Sequence, residues 1–377
     1  MTNSPISLSS SSDSDGPVIL LRPQNSLRGS RSPLNKSNEL VERLANLCLR
    51  ATPPPSRPTS PLPPVFQQTP IEQAVVAFPV TQPPHSLQEL VGQSSDFYDK
   101  LMDTIQLLAP PLIDFSDRVR VCPKASEFRS TRKNRYPNVF AADLNRVCLK
   151  KSADPDSDYI NANHFANMII TQGPLENTLT DFWTMIFEQE VSQIVCLTND
   201  KDPHPKNHQT FIDKCYPYWN PQQAGTQDNL LFSTPLLNVR VSCPPTTVGQ
   251  DGDQILERLL IVVSYGTDMR LVELFRYVNW PDHGACSLTL FGTLIETQRK
   301  SLYRGKCTVH CSAGIGRSGI FAVVSSLLDA HAKSQLIPTK TNIIEQIVAL
   351  RQRRPGAVQN PTQLQMICQA LHLLIHN

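Results

Sequence analysis

A chain of 377 residues with 40% apolar residues has room for one large domain with extensions or for two ordinary domains. A formal charge of +2 excludes a dedicated nucleic-acid binder, which would carry a strong basic excess. The ten cysteines include no Cys-x2-Cys pair and nearly all stand far apart, so neither a zinc site nor a disulfide framework is expected, and buried thiols in a reducing compartment are.

Nearly half of the 32 prolines fall within the first 85 residues, among Ser, Thr and Asn and with few aromatics. That composition cannot bury enough apolar surface to offset the entropy of ordering, which predicts a largely disordered region over 1–85. The start Met1-Thr2-Asn3-Ser4-Pro5 lacks the basic and apolar segments of a secretory signal, and no apolar run reaches membrane-spanning length, so no membrane partner is expected. Within the region, Ser37 can cap a short amphipathic helix over 37–51 that sets Leu40, Leu44, Leu47 and Ala51 on one face. A helix of that length needs a partner. The run Pro53-Pro54-Pro55-Ser56-Arg57-Pro58 and its continuation to Pro64 favour polyproline II, as an SH3-type ligand or, with no basic residue at the orienting flank, a stiff spacer.

Order is expected from Ser86 onward, where Leu90, Phe97, Tyr98, Leu101 and Ile105 have helical spacing. Residues 191–197, 259–264 and 307–310 read as buried strands, and 320–332 and 343–351 as helices. Alternating strands and helices predict an α/β layer architecture over 86–377.

The chemistry concentrates in Cys307-Thr308-Val309-His310-Cys311-Ser312-Ala313-Gly314-Ile315-Gly316-Arg317-Ser318-Gly319, a strand, a tight loop and a helix start. Five residues between Cys311 and Arg317 let successive backbone N–H groups curl around one anion, and Gly314 and Gly316 supply the freedom to do so. The N-terminal end of the following helix and the guanidinium of Arg317 add positive potential. A phosphoryl group held by Ser312, Ala313, Gly314, Ile315, Gly316 and Arg317 would sit on a Cys311 thiolate stabilised by the same field, the arrangement for covalent phosphoryl transfer.

From 86 to 377 the chain resembles the catalytic domain of the phosphotyrosine-specific protein tyrosine phosphatases. Lys133-Asn134-Arg135-Tyr136, Asp158-Tyr159-Ile160-Asn161-Ala162-Asn163, Thr171-Gln172-Gly173-Pro174, Trp280-Pro281-Asp282-His283-Gly284 and Gln359 with Gln363 stand in that family's order, with Arg351, Arg354, Pro355 and Gly356 before the last. The resemblance implies a twisted mixed β-sheet flanked by helices and hydrolysis of phosphotyrosine in proteins through a phosphocysteine intermediate, with no metal or organic cofactor. It implies Cys311 as nucleophile, Arg317 as phosphate clamp and Asp282 as general acid in a loop framed by Trp280 and Pro281. Gln359 and Gln363 orient the attacking water, and Ser318 eases departure of the sulfur. Tyr136 stacks on the substrate ring, Asn138 and Lys214 belong to the cleft, and His310 braces the loop with Tyr218 as its partner. The loop lacks the lysines of related lipid phosphatases, and the Lys-Asn-Arg-Tyr segment argues against dual specificity.

Two positions depart from the family. Asn138 replaces an acid that holds the substrate backbone, and Gln209 is aligned with the glutamate that pairs with the loop arginine. The second substitution motivates an alternative, a weak phosphotyrosine-binding pseudophosphatase or adaptor. The N-terminal region resembles that of bacterial effectors injected into animal cells by a type III route, with the 37–51 helix bound by an export chaperone. A cytoplasmic phosphatase with a regulatory tail, carrying Thr52-Pro53, Ser60-Pro61 and Thr69-Pro70 as kinase sites, fits the same composition.

Overall fold

Strand β11 (Lys306–His310), placed at the centre of a nine-stranded sheet, organises the protein. The computed structural model describes residues 86–110, 120–150, 157–204, 206–220, 229–280 and 286–376. The disordered region, the 37–51 helix and the proline-rich segment expected before residue 86 lie outside the described residues, as do Pro281 and Asp282.

In chain order, helices α1 (Leu87–Val91) and α2 (Ser95–Leu108) precede β1 (Arg146–Cys148), β2 (Tyr159–Phe165) and β3 (Met168–Thr171). Helix α3 (Leu179–Glu188) leads to β4 (Val191–Cys196), the hairpin β5 (Lys201–His204) and β6 (Asn207–Asp213), and then β7 (Leu230–Ser233). The long strands β8 (Leu237–Asp251), β9 (Gln254–Tyr265) and β10 (Asp268–Val278) follow, then α4 (Leu288–Lys300), β11, α5 (Arg317–Ser334), α6 (Lys340–Arg353) and α7 (Pro361–His376). The sheet order is β1-β2-β3-β11-β4-β10-β9-β8-β7. The four central strands β3, β11, β4 and β10 run parallel, and the outer pairs are antiparallel. This is the mixed sheet flanked by helices that the sequence led us to expect.

Side-chain alternation along each strand sorts the core into two layers. On β4, Ile194 and Cys196 pack with Phe182, Trp183 and Ile186 of α3, whereas Val195 and, just past the strand, Leu197 pack with the helices of the opposite face. That opposite layer holds Ile105 of α2, Phe291 of α4, Phe321 of α5, Ile347 of α6 and Ile367 of α7. A one-residue slip of β4 would exchange the two sets, and each large side chain truncated in such a layer costs about 2–5 kcal/mol.

Local signals place the helix ends. Ser86 and Glu89 form a capping box at α1, with Ser86 N–H donating to Glu89 Oε2 at 2.8 Å. Ser287 caps α4, accepting from Leu290 N–H at 3.1 Å. The apolar spacing that suggested helical packing after Ser86 divides into α1 and α2, because Gly92 closes the first helix and Ser94 precedes the second. Among the described residues no helix is long and apolar enough to cross a membrane.

Candidate active site

The chain leaves β11 at the carboxyl ends of the parallel strands, the position at which open α/β sheets present a ligand crevice. Alternation sends Cys307, Val309 and Cys311 to the α5 side and His310 to the α3 side. There His310 Nδ1 lies 3.1 Å from the Cys311 carbonyl and Nε2 lies 2.7 Å from Tyr218 Oη. A carbonyl only accepts, so Nδ1 carries the proton, Nε2 accepts, and the Tyr218 hydroxyl donates. Burial pushes the imidazole down to about 4, which keeps it neutral, and the two hydrogen bonds select that tautomer.

The turn 311–316 is held from outside by its carbonyls. Ser312 O accepts from Gly173 N–H at 2.9 Å, and Ile315 O from Val358 N–H at 3.0 Å. Arg354 donates from Nη2 to Ala313 O at 2.9 Å and from Nε to Gly314 O at 3.0 Å. In a trans peptide the N–H of the next residue points opposite to the carbonyl. Anchoring four carbonyls outward therefore turns the N–H groups of residues 313 to 316 to the other side, and Gly314 N–H does donate to Cys311 Sγ at 3.3 Å. Gly314 adopts φ +72°, and a Cβ there would lie 2.1 Å from Thr171 O. At Gly316 the limit is set by side chains: a Cβ would lie 2.6 Å from Gln359 Oε1 and 2.8 Å from Gln363 Nε2. The Arg354 guanidinium is fully buried, and burial lowers it to about 10.

Arg317 opens α5 and is 4% exposed. Its Nη1 donates to Leu197 O and to Thr198 Oγ1, both at 3.2 Å. The carboxylate beside it is that of Asp202 on β5, with Oδ2 3.9 Å from Arg317 Nη2 and 3.8 Å from Lys214 Nζ. This corrects the expectation that the position facing Arg317 is uncharged. Counting back from Lys214 across the β5–β6 hairpin leads to Gln209 on β6, but the acid reaches the guanidinium from the near arm of that hairpin.

A cleft of about 220 Å³ opens above the turn, lined by Tyr136, Asn138, Val139, Lys214, Cys311, Ser312, Ala313, Ile315, Gly316, Arg317, Gln359 and Gln363. All but Val139 are residues singled out from the sequence, and no carboxylate lines it among the described residues. Tyr136 is positioned by its neighbour: Arg135 donates to Gly173 O, Pro174 O and Asp213 O, and Gln172 accepts from Arg135 N–H and donates to Lys133 O. Ser312 Oγ donates to Lys214 O at 2.8 Å, so Tyr136 Oη, also at 2.8 Å, donates to Ser312 Oγ. Gln359 N–H donates to Gln363 Oε1 at 2.7 Å, which ties the two glutamines together.

Ser318 Oγ is buried and makes no hydrogen bond among the described residues. Trp280 is away from the cleft, 1% exposed and packed on Tyr277 and Phe291. Among the described residues no group of three or more His, Cys, Asp or Glu side chains is placed to hold a metal. Asp202, Thr198 and the grip of Arg354 were missed in the sequence. A count forward from the end of β4, which puts Asp202 six residues beyond Cys196, is the signal that could have found the first.

The protein-tyrosine phosphatase family model matches residues 130–372. The chain is 33% identical over 264 residues to human receptor-type tyrosine-protein phosphatase alpha, covering 66% of this chain and 30% of that protein. It is 30% identical over 254 residues to human tyrosine-protein phosphatase non-receptor type 7, covering 64% and 63%. The chain thus spans less than two thirds of the length of these curated relatives. The solved structure of PTPN18 in complex with HER2-pY1248 phosphopeptides is similar, with a TM-score of 0.62 and 25% identity over 74% of this chain and 99% of that one. A family match over most of the chain, on a fold that gathers Cys311, its turn and Arg317 at one cleft, shows that the chain belongs to the protein-tyrosine phosphatase family.

Proposed function

We propose that this chain hydrolyses phosphotyrosine in proteins through a phosphocysteine intermediate. The observation that carries this reading is the convergence on one cleft of Cys311, a turn whose carbonyls are all anchored outward, and Arg317. A phosphate dianion entering the cleft accepts from the freed N–H groups and from the guanidinium, which places phosphorus against Cys311 Sγ. Sulfur attacks as the bond to the phenolic oxygen breaks, and Asp282 protonates the leaving oxygen. Water oriented by Gln359 and Gln363 then attacks phosphorus, Asp282 takes its proton, and the Ser318 hydroxyl, which has no hydrogen-bond partner among the described residues, donates to the departing sulfur. Tyr136 sets the depth of the cleft, so a phosphoserine is too short to meet Cys311. Asn138 offers the peptide backbone an amide in place of a carboxylate.

The phosphopeptide complex of PTPN18 supports a peptide substrate. A phosphotyrosine trap without turnover draws no support from Gln209 once Asp202 stands beside Arg317. For residues 1–85, composition supports a cytosolic site of action, reached either in the producing cell or by type III injection into a host. Export of a reporter by these residues supports injection, and failure to export removes it. SH3-type and chaperone partners rest on the same composition.

The test compares a phosphotyrosine peptide with its phosphoserine counterpart from about pH 5 to 8, for wild type, Cys311→Ser and Asp282→Ala. Tyrosine-only turnover is expected, abolished by the first change and slowed by about 10²–10⁴ by the second. Binding without turnover by wild type would overturn the enzymatic reading.

A further inference from the structure

The ends of β4 and β10 are joined by a side-chain relay that none of these steps uses. Asn199 lies three residues beyond β4. The backbone N–H of Asn279 can only donate, so Asn199 Oδ1 is the atom that meets it, at 2.9 Å. The same orientation sends Asn199 Nδ2 to Asp202 Oδ1 at 3.2 Å. Asp202 Oδ2 is buried and makes no hydrogen bond among the described residues, yet it stands within 4 Å of both Arg317 and Lys214.

At the other end Asn279 closes β10 in the left-handed region, with φ +62°, and its Nδ2 donates to Asp253 O at 2.8 Å. Trp280 follows as a buried anchor, and Asp282 comes two residues later in the sequence. Coulomb attraction at 3.8–3.9 Å is non-directional and leaves the Asp202 carboxylate free to rotate. The Asn199 hydrogen bond is the directional restraint.

We propose that Asn199 is a positioning residue that joins the two charged halves of the reaction. One end of its amide fixes the Asn279 turn from which the chain enters the Asp282 segment. The other end aims Asp202 at Arg317 and Lys214. This role rests on the proposed phosphatase chemistry, in which Asp282 and Arg317 receive their functions.

Two substitutions separate the ends. Asn199→Ala removes both contacts. Asn199→Asp keeps the acceptor for Asn279 N–H but replaces the donor to Asp202 with a second carboxylate. The full chain is assayed with p-nitrophenyl phosphate, whose leaving group needs little protonation, and with phenyl phosphate, whose leaving group needs it. Affinity for inorganic phosphate is read by calorimetry, and thermal unfolding is followed in parallel.

In Asn199→Ala, kcat on phenyl phosphate should fall about tenfold or more beyond any loss on p-nitrophenyl phosphate, with phosphate bound several-fold more weakly. In Asn199→Asp, the discrimination between the two esters should return to the wild-type ratio while phosphate binding stays weak. Equal losses on both esters with lower thermal stability, or no change in either variant, would overturn the proposal. The parent chemistry is judged separately, by wild-type turnover and by Asp282→Ala. If wild type turned over neither ester, unchanged phosphate affinity in Asn199→Ala would still sink the Arg317 half.

Discussion

Lowering the pH from 7 toward 5 loads a proton onto His310 in the unfolded chain that the folded chain does not accept. His310 is fully buried, and loss of hydration holds its pKa at about 4; the bond to Cys311 O works against that shift and the charge of Arg135 with it. An exposed histidine titrates near 6.5. The unfolded state therefore binds more protons below about pH 6.5, so this contribution is fully present above that pH and is lost as the pH falls toward 4. At pH 5 the loss is about 2 kcal/mol, approaching about 3 kcal/mol at the lower limit. Urea unfolding at about pH 7, 6 and 5 reads it in wild type against His310→Asn. The asparagine amide can still donate to Cys311 O but cannot titrate. It leaves the Tyr218 hydroxyl without its acceptor, at a cost of about 1–3 kcal/mol. Burial pushes Tyr218 well above its ordinary value, so that cost does not vary with pH in this range. Other titrating groups cancel between the two proteins. Wild type should lose about 2 kcal/mol more than the variant between pH 7 and 5. Parallel loss in both would refute the neutral, single-tautomer account of His310.

Three further outcomes follow from the turn and from the remaining thiols. Gly314→Ala places a methyl group against the Thr171 carbonyl at a left-handed φ, so it should destabilise by about 2 kcal/mol or more and abolish phosphate binding; retention of both would mean the turn is not held as described. Gly316→Ala meets only the flexible ends of Gln359 and Gln363, so the fold should survive while hydrolysis of the phosphocysteine slows about tenfold or more. Rapid-quench kinetics should then show a burst of the released alcohol, and a variant with no burst would remove the glutamines from the second step. Burial raises Cys196 to about 11 and Cys122, Cys286, Cys307 and Cys368 to about 12, leaving thiolate fractions of about 10⁻⁴ or less at pH 7. Mass spectrometry of the folded protein after brief iodoacetamide treatment should find these five unmodified, and labelling of any would contradict their burial.

What was legible in the sequence was local. A strand, turn and helix around Cys311 can be read because each residue type meets a need set within a few positions: Gly314 a left-handed φ, Gly316 a close approach by two side chains, Arg317 a helix start. The long apolar spacings of α5 and α6 were equally plain, with ends misplaced by about three residues where polar capping turns carry no apolar signal. Asp202 was overlooked because the register of a short polar hairpin depends on its turn and not on any hydrophobic pattern. Arg354 stands 40 residues from the carbonyl of Gly314 that it grips, and nothing local announces such a contact. The position of β11 between β3 and β4 is likewise a product of crossover topology.

The outward grip on the turn divides labour between main chain and side chains. Because Arg354, Gly173 and Val358 already orient the peptide groups of the turn, the main-chain part of the proposed grip on an anion does not titrate and does not depend on the side chains at positions 313 and 315. Ala313 and Ile315 line the cleft without making any side-chain hydrogen bond. On the proposed chemistry these two positions can therefore diversify, widening or narrowing the choice of partner peptide, while the main-chain hold on the phosphate stays constant.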